Sequence, residues 1–150
     1  ETHADDQPLR VLDIGSGLGD LSLFLAKQRI HDSVMGIEIA PLPWAISACR
    51  ALFSGTSAQF LLGDYRRLNF AEQDVVFAYL SPAVMQAVWH KVAAEMRPGS
   101  LFISSEFPVS AQTADQIVFP APGAPALYIY RIKTPPARLT SPPRTPNPHA

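Results

Sequence analysis

The residues with the clearest chemical consequence stand together near the start of the chain, in Asp13-Ile-Gly15-Ser-Gly17-Leu-Gly19-Asp20. The run falls between a short apolar segment and a helical pattern. Gly15 and Gly17 permit backbone torsions that a Cβ would forbid, so the chain can pass close beneath a ligand. Gly19 lets the following helix start tight against a sheet. A dinucleotide loop presents a helix N-terminus to a pyrophosphate, where nearby acids are unfavourable. Here Asp13 and Asp20 bracket the loop. Two carboxylates at this point suit a cation, such as a sulfonium that also carries an α-amino group, and favour S-adenosylmethionine over NAD.

Further along, Glu38 ends a second apolar run, 19 residues after Gly19. An acid there can accept both hydroxyls of a ribose; a solvated strand-end glutamate is the plainer alternative. Asp64, after Gly63, could accept from an adenine amino group or could cap a turn. Ile39 and Tyr65 would offer apolar faces to the adenine ring, or simply pack. Tyr79 follows a fourth apolar run, where it could orient an amine by hydrogen bonding or cation–π contact, or belong to the core. Glu106 ends a fifth run and is a second candidate base or a surface charge. Ser16 completes the loop. His90 is expected to face solvent, and Trp44 and Trp89 to pack. There is no triad and no metal-ligand cluster, so no metal is expected. The chemistry that fits is an in-line displacement on an activated donor, which needs alignment more than a nucleophilic side chain.

These residues need strands and helices in alternation, and the chain supplies them. Strands are expected at Arg10–Ile14, Val34–Ile39, Ala58–Leu62, Asp74–Leu80 and Leu101–Phe107. Helices are expected over 19–28, with Leu21, Phe24 and Leu25 on one face, and over 42–53, with Leu42, Ile46, Cys49 and Phe53 on one stripe. Ala83–Met96 is the clearest helix, stacking Val84, Val88, Val92 and Met96 before Arg97-Pro-Gly99 stops it. Ile117–Phe119 and Leu127–Ile132 read as a hairpin. Only Pro108–Asp115 separate it from the fifth strand, too few for a parallel crossover, so the helix usual there is expected to be absent or reduced to a turn. The fold class is α/β: a Rossmann-like, doubly wound, mainly parallel sheet with an antiparallel C-terminal hairpin strand. The domain is expected to span 1–133. Residues 134–150, rich in proline, are expected to be disordered or extended.

The order of motifs resembles the seven-strand class I S-adenosylmethionine-dependent methyltransferases. It runs Val11-Leu-Asp-Ile-Gly-Ser-Gly-Leu-Gly19, Gly36-Ile-Glu38, Gly63-Asp64, Asp74-Val-Val-Phe77 and Arg97-Pro-Gly99. The resemblance implies a seventh strand antiparallel to the others, S-adenosylmethionine as cofactor and S-adenosylhomocysteine as product. Tyr79-Leu-Ser-Pro82, Ser104-Ser-Glu-Phe-Pro108 and Leu127-Tyr-Ile-Tyr-Arg131 are similar to a narrower branch. That branch comprises the lysine methyltransferases of the mitochondrial ATP synthase c-subunit and the adenine nucleotide translocase, with their bacterial relatives, and it implies N-methylation of a protein lysine.

Composition sets outer bounds. The 150 residues are 47% hydrophobic and 17% charged, with a net charge of −1. That suits one globular domain and gives no electrostatic footprint for nucleic acid or an anionic membrane. A single cysteine, Cys49, rules out an internal disulfide and fits a reducing, cytoplasmic setting. The expected partner is a methyl acceptor, protein or small molecule. The chain begins at Glu1 rather than Met, and a segment upstream is expected to be missing. A small-molecule methyltransferase, a non-catalytic cofactor-binding domain and, in another enzyme class, an NAD-dependent oxidoreductase are the competing readings.

Overall fold

The computed structural model describes residues 7–29 and 32–134. Residues 135–150, with the expected proline-rich tail, lie outside them. Strands β1 (Arg10–Ile14), β2 (Ser33–Glu38), β3 (Gln59–Leu62), β4 (Val75–Ala78), β5 (Leu101–Ser105), β6 (Gln116–Val118) and β7 (Leu127–Arg131) form one sheet in the order β3-β2-β1-β4-β5-β7-β6. The first five pair in parallel. β7 runs antiparallel to β5, and β6 antiparallel to β7. The sequence therefore places every strand to within two residues at most ends, and the hairpin supplies the expected reversed strand. No helix intervenes between β5 and β6, as the short spacing requires.

β1 lies inside the sheet between β2 and β4, and its period-2 alternation feeds two cores. Val11 packs with Leu23, Ala26, Val34 and Ala58, beneath helices α1 (Asp20–Gln28) and α2 (Pro41–Ser54). Leu12 and Ile14 join Val76, Ala78, Phe102 and Tyr130 beneath α3 (Pro82–Glu95) on the opposite face. Strand order reverses between β1 and β4, and in open sheets of this kind ligands bind at the carboxyl ends of the strands beside that reversal. No helix among the described residues is long and apolar enough to cross a membrane.

Two of the three helices bury different faces from those expected. In α2 the stripe Leu42, Ile46, Cys49 and Phe53 is exposed, Phe53 at 86%. The buried residue is Ser47, and Trp44 turns inward to donate from Nε1 to the Phe60 carbonyl at 3.1 Å. In α1 the buried residues are Ser22, Leu23 and Ala26, while Phe24 is 57% exposed. In α3 Val88 and Val92, with Met96 at its end, are buried as expected, and Met85 rather than the exposed Val84 completes the row. The cause in the first two helices is close approach. Ser22 is drawn in by a hydrogen bond to Asp13, and Ser47 sits hard against the glycine loop.

Gly19 shows how tight that approach is. Its φ is +81°, and a Cβ there would lie 2.6 Å from the Phe60 ring and 3.0 Å from Ser47 Cβ. Gly19→Ala combines left-handed strain of roughly 1–2 kcal/mol with overpacking of roughly 1–3 kcal/mol. Chemical denaturation should show it losing about 2–5 kcal/mol of stability, and an unchanged midpoint would contradict this packing.

Candidate active site

Three strand ends and the loops after them converge at the reversal. Gly15 and Ser16, leaving β1, donate their backbone N–H groups to the Ile37 carbonyl of β2 at 2.9 and 3.1 Å. The loop is thereby stitched to the neighbouring strand before it turns. Ser16 continues inward: its Oγ is buried without a hydrogen-bond partner and lies 2.7 Å from where a Gly36 Cβ would stand. Its hydroxyl thus faces the sheet.

Glu38 is held by both oxygens. Oε2 accepts from the Gly17 N–H at 2.9 Å and Oε1 from the Ala40 N–H at 2.8 Å. Each oxygen keeps a further lone-pair direction, so the carboxylate is preorganised and can still accept two hydroxyls. Its neighbours Ile37 and Ile39 line a cavity of about 430 Å³, and Ile39 is 67% exposed there. Gly15 and Leu80 form the floor beside them, and Asp64, Tyr65 and Arg66 one wall. Leu80 needs the glycine beneath it, since a Cβ on Gly15 would come within 2.8 Å of Leu80 Cδ2.

The acids that bracket the loop do not line the cavity. Asp13 is buried, 4% exposed, with Oδ2 accepting from Ser22 Oγ at 2.8 Å. Burial raises its pKa from 3.8 to about 6; Ser22 offsets this in part and the nearby Glu38 charge adds to it. Asp20 lies outside, 2.7 Å from Arg50, which also donates to the Leu18 carbonyl. The electrostatic bracket expected from the sequence is therefore corrected: the acid in the cavity wall is Asp64, and Glu38 stands between Ile37 and Ile39, which line it, while Asp13 and Asp20 fasten the loop. Gly17 and Gly19 likewise stand outside the cavity wall, Gly17 as the donor that aims Glu38.

Asp64 combines both readings left open by the sequence. It caps the short 3₁₀ turn Tyr65–Arg67 by accepting from the Arg66 N–H, and it lines the cavity. Arg66 also grips it through Nε at 2.8 Å and Nη2 at 2.7 Å, holding its pKa below the usual range. Tyr65 lines the cavity while packing at 6.5 Å from Phe70. Arg66, Leu80 and Val84 were not legible as site residues, although Leu80 sits two residues after the strand beside the reversal.

Tyr79 and Glu106, which the sequence offers separately, meet. Tyr79 is 55% exposed rather than a core residue, and its hydroxyl donates to Glu106 Oε2 at 2.6 Å. His90 is exposed. Trp89 packs against Phe102 and Tyr130. Among the described residues no group of three or more His, Cys, Asp or Glu could hold a metal ion.

The fold is that of a class I methyltransferase domain, the class whose cofactor is S-adenosylmethionine. A family model described as the ANTKMT methyltransferase domain matches residues 13–116, and the chain belongs to that family. The mouse lysine N-methyltransferase of the ATP synthase c-subunit is 32% identical over 108 residues, 70% of this chain and 42% of that protein. A demethylmenaquinone methyltransferase of Thermus thermophilus is 27% identical over 117 residues, 75% of this chain and 53% of that protein. The chain thus spans about half the length of these curated relatives. Among solved structures, an RNA methyltransferase from Salinibacter ruber in complex with S-adenosylhomocysteine has a TM-score of 0.78 at 26% identity, covering 88% of this chain and 86% of that one.

Proposed function

We propose that this chain is the catalytic domain of an S-adenosylmethionine-dependent methyltransferase that methylates nitrogen, with the side-chain amine of a protein lysine as acceptor. The observation that carries the cofactor half is Glu38, fixed by two backbone N–H groups between the two isoleucines of an adenosine-sized cavity. In this reading Glu38 takes the ribose hydroxyls, Ile39 and Tyr65 flank the adenine, and Asp64 accepts from its amino group. Gly15, Ser16, Gly17 and Gly19 carry the loop beneath the donor, with Asp13 bracing it from below. The bound cofactor supplies a methyl group already activated by its sulfonium. What remains for the protein is to place an amine in line with it and keep competing acceptors out.

The acceptor half draws on the mouse relative, whose name specifies a lysine N-methyltransferase, and on Tyr79 and Glu106, which meet at the ends of the paired strands β4 and β5. The test is transfer of a labelled methyl group into a cell extract, sorted into protein, RNA and small molecules. Label in protein, recovered as methyl-lysine, is the expected result. Label confined to RNA or to small molecules would replace the acceptor assigned here, and cofactor binding with no labelled product would leave a non-catalytic binding domain.

A further inference from the structure

We infer that a strained turn holds the Glu106 carboxylate against the Tyr79 hydroxyl so that its remaining oxygen binds the acceptor as an alkylammonium ion. The inference rests on the methyltransferase reading and assigns the acceptor's charge state and the group that recognises it.

Three independent observations support it. The first is charge balance. Four acids are exposed among the described residues: Asp20, Glu72, Glu106 and Asp115. Asp20 pairs with Arg50, Glu72 with Arg10 and Asp115 with Lys133. Glu106 has only a phenol, and no Lys or Arg pairs with it among the described residues. A carboxylate without its cation, bonded to the residue that precedes Leu80 of the cavity, is complementary to a cationic acceptor.

The second is backbone strain. Glu106 has φ +71°, a conformation that costs a residue bearing a Cβ roughly 1–2 kcal/mol and that glycine adopts freely. The turn is imposed from both sides. Glu106 N–H donates to the Ala126 carbonyl at 2.8 Å and Phe107 N–H to the Ser105 carbonyl at 2.9 Å. The buried Ser104 hydroxyl bonds the Phe107 carbonyl. Nothing in this arrangement requires a glutamate except the place its carboxylate reaches, and retained strain of this kind belongs to functional sites.

The third is placement. Tyr79 leaves β4 and Glu106 leaves β5, neighbouring strands. The residue after Tyr79 is Leu80, in the floor of the cavity. Accepting from Tyr79 raises the phenol's pKa, so Tyr79 remains a donor and serves as the positioning residue, while Glu106 touches the acceptor. Once placed, the ammonium loses one proton to solvent. Its lone pair then forms the nitrogen–carbon bond as the carbon–sulfur bond breaks, with that electron pair left on sulfur.

The test separates binding from turnover. Protein saturated with S-adenosylhomocysteine is titrated with Nα-acetyl-lysine amide and with Nα-acetyl-norleucine amide, read by backbone amide shifts at Ser105–Phe107. The lysine compound should bind and the norleucine compound should not. Glu106→Gln should weaken the lysine compound at least tenfold, and Tyr79→Phe by roughly threefold, as expected for loss of a charge and of a neutral hydrogen bond. Neither should alter S-adenosylhomocysteine affinity. Glu106→Gly should melt higher than the parent, by relief of strain, and still lose the lysine compound. Equal binding of the two compounds, or full binding by Glu106→Gln, overturns the inference. Intact ammonium binding without methyl transfer to any lysine would count against the proposed function instead.

Discussion

Glu38→Ala should abolish measurable S-adenosylmethionine binding while leaving the sheet folded. The substitution removes the group proposed to hold the ribose, and it also strips two backbone N–H groups, at Gly17 and Ala40, of their acceptor. A hydrogen bond to a charged group contributes about 1.5–3 kcal/mol. Losing two of them to ribose therefore weakens binding by roughly 3–6 kcal/mol, a factor of about 10² to 10⁴. Glu38→Gln is the sharper control. A glutamine offers one acceptor oxygen where two backbone donors need one each, so its affinity should fall nearly as far although the side chain is isosteric. Titration calorimetry reads both, and circular dichroism checks that the fold survives. A Glu38→Gln protein with parental affinity would show that the paired acceptor geometry is irrelevant to the cofactor.

Asp13→Asn should do the opposite to stability. A carboxyl whose pKa stands at about 6 in the folded chain against 3.8 ordinarily carries about 3 kcal/mol of burial penalty once ionised, from about 1.4 kcal/mol per pKa unit. The folded state binds the proton more tightly than the unfolded state. The contribution is therefore fully present below pH 3.8 and is lost as the pH rises through about 6. Asparagine never ionises, and it keeps a carbonyl to accept from Ser22. At pH 7.5 the variant should gain up to about 3 kcal/mol, a rise of several degrees in Tm for a domain of this size. Its stability should lack the decline that the parent shows between about pH 4 and 6. Melting curves across that range test both points, and an equal pH dependence in the two proteins would mean that Asp13 is not the buried group that titrates.

Much of this architecture is written locally in the chain. β1 is buried along Val11–Ile14, and its run of apolar residues with one acid could be placed from the sequence alone. Glu38 could be placed against the loop because a strand end and a glycine loop fix its position relative to each other. The helix faces could not be read in the same way. Apolar periodicity in α2 marks Leu42, Ile46 and Phe53, yet the side that meets the sheet carries Ser47, because the glycine loop leaves no room for anything larger. That requirement is set by Phe60 and Gly19, distant in sequence. The pairing of Tyr79 with Glu106 was hidden for another reason. It depends on the positive φ at Glu106, and a glutamate carries no local signal of a left-handed turn. The loop acids misled because sequence spacing counts charges without their partners; Arg50 neutralises Asp20 from 30 residues away.

The proposed function requires the cavity at the end of β2 to be the adenosyl site. A crystal structure of the chain with S-adenosylhomocysteine tests it most directly. Both ribose hydroxyls should lie on the Glu38 carboxylate, with Gly17 and Ala40 still donating to it, and the adenine between Ile39 and Tyr65. A nucleoside bound elsewhere, or Glu38 turned away from the ribose, would contradict it.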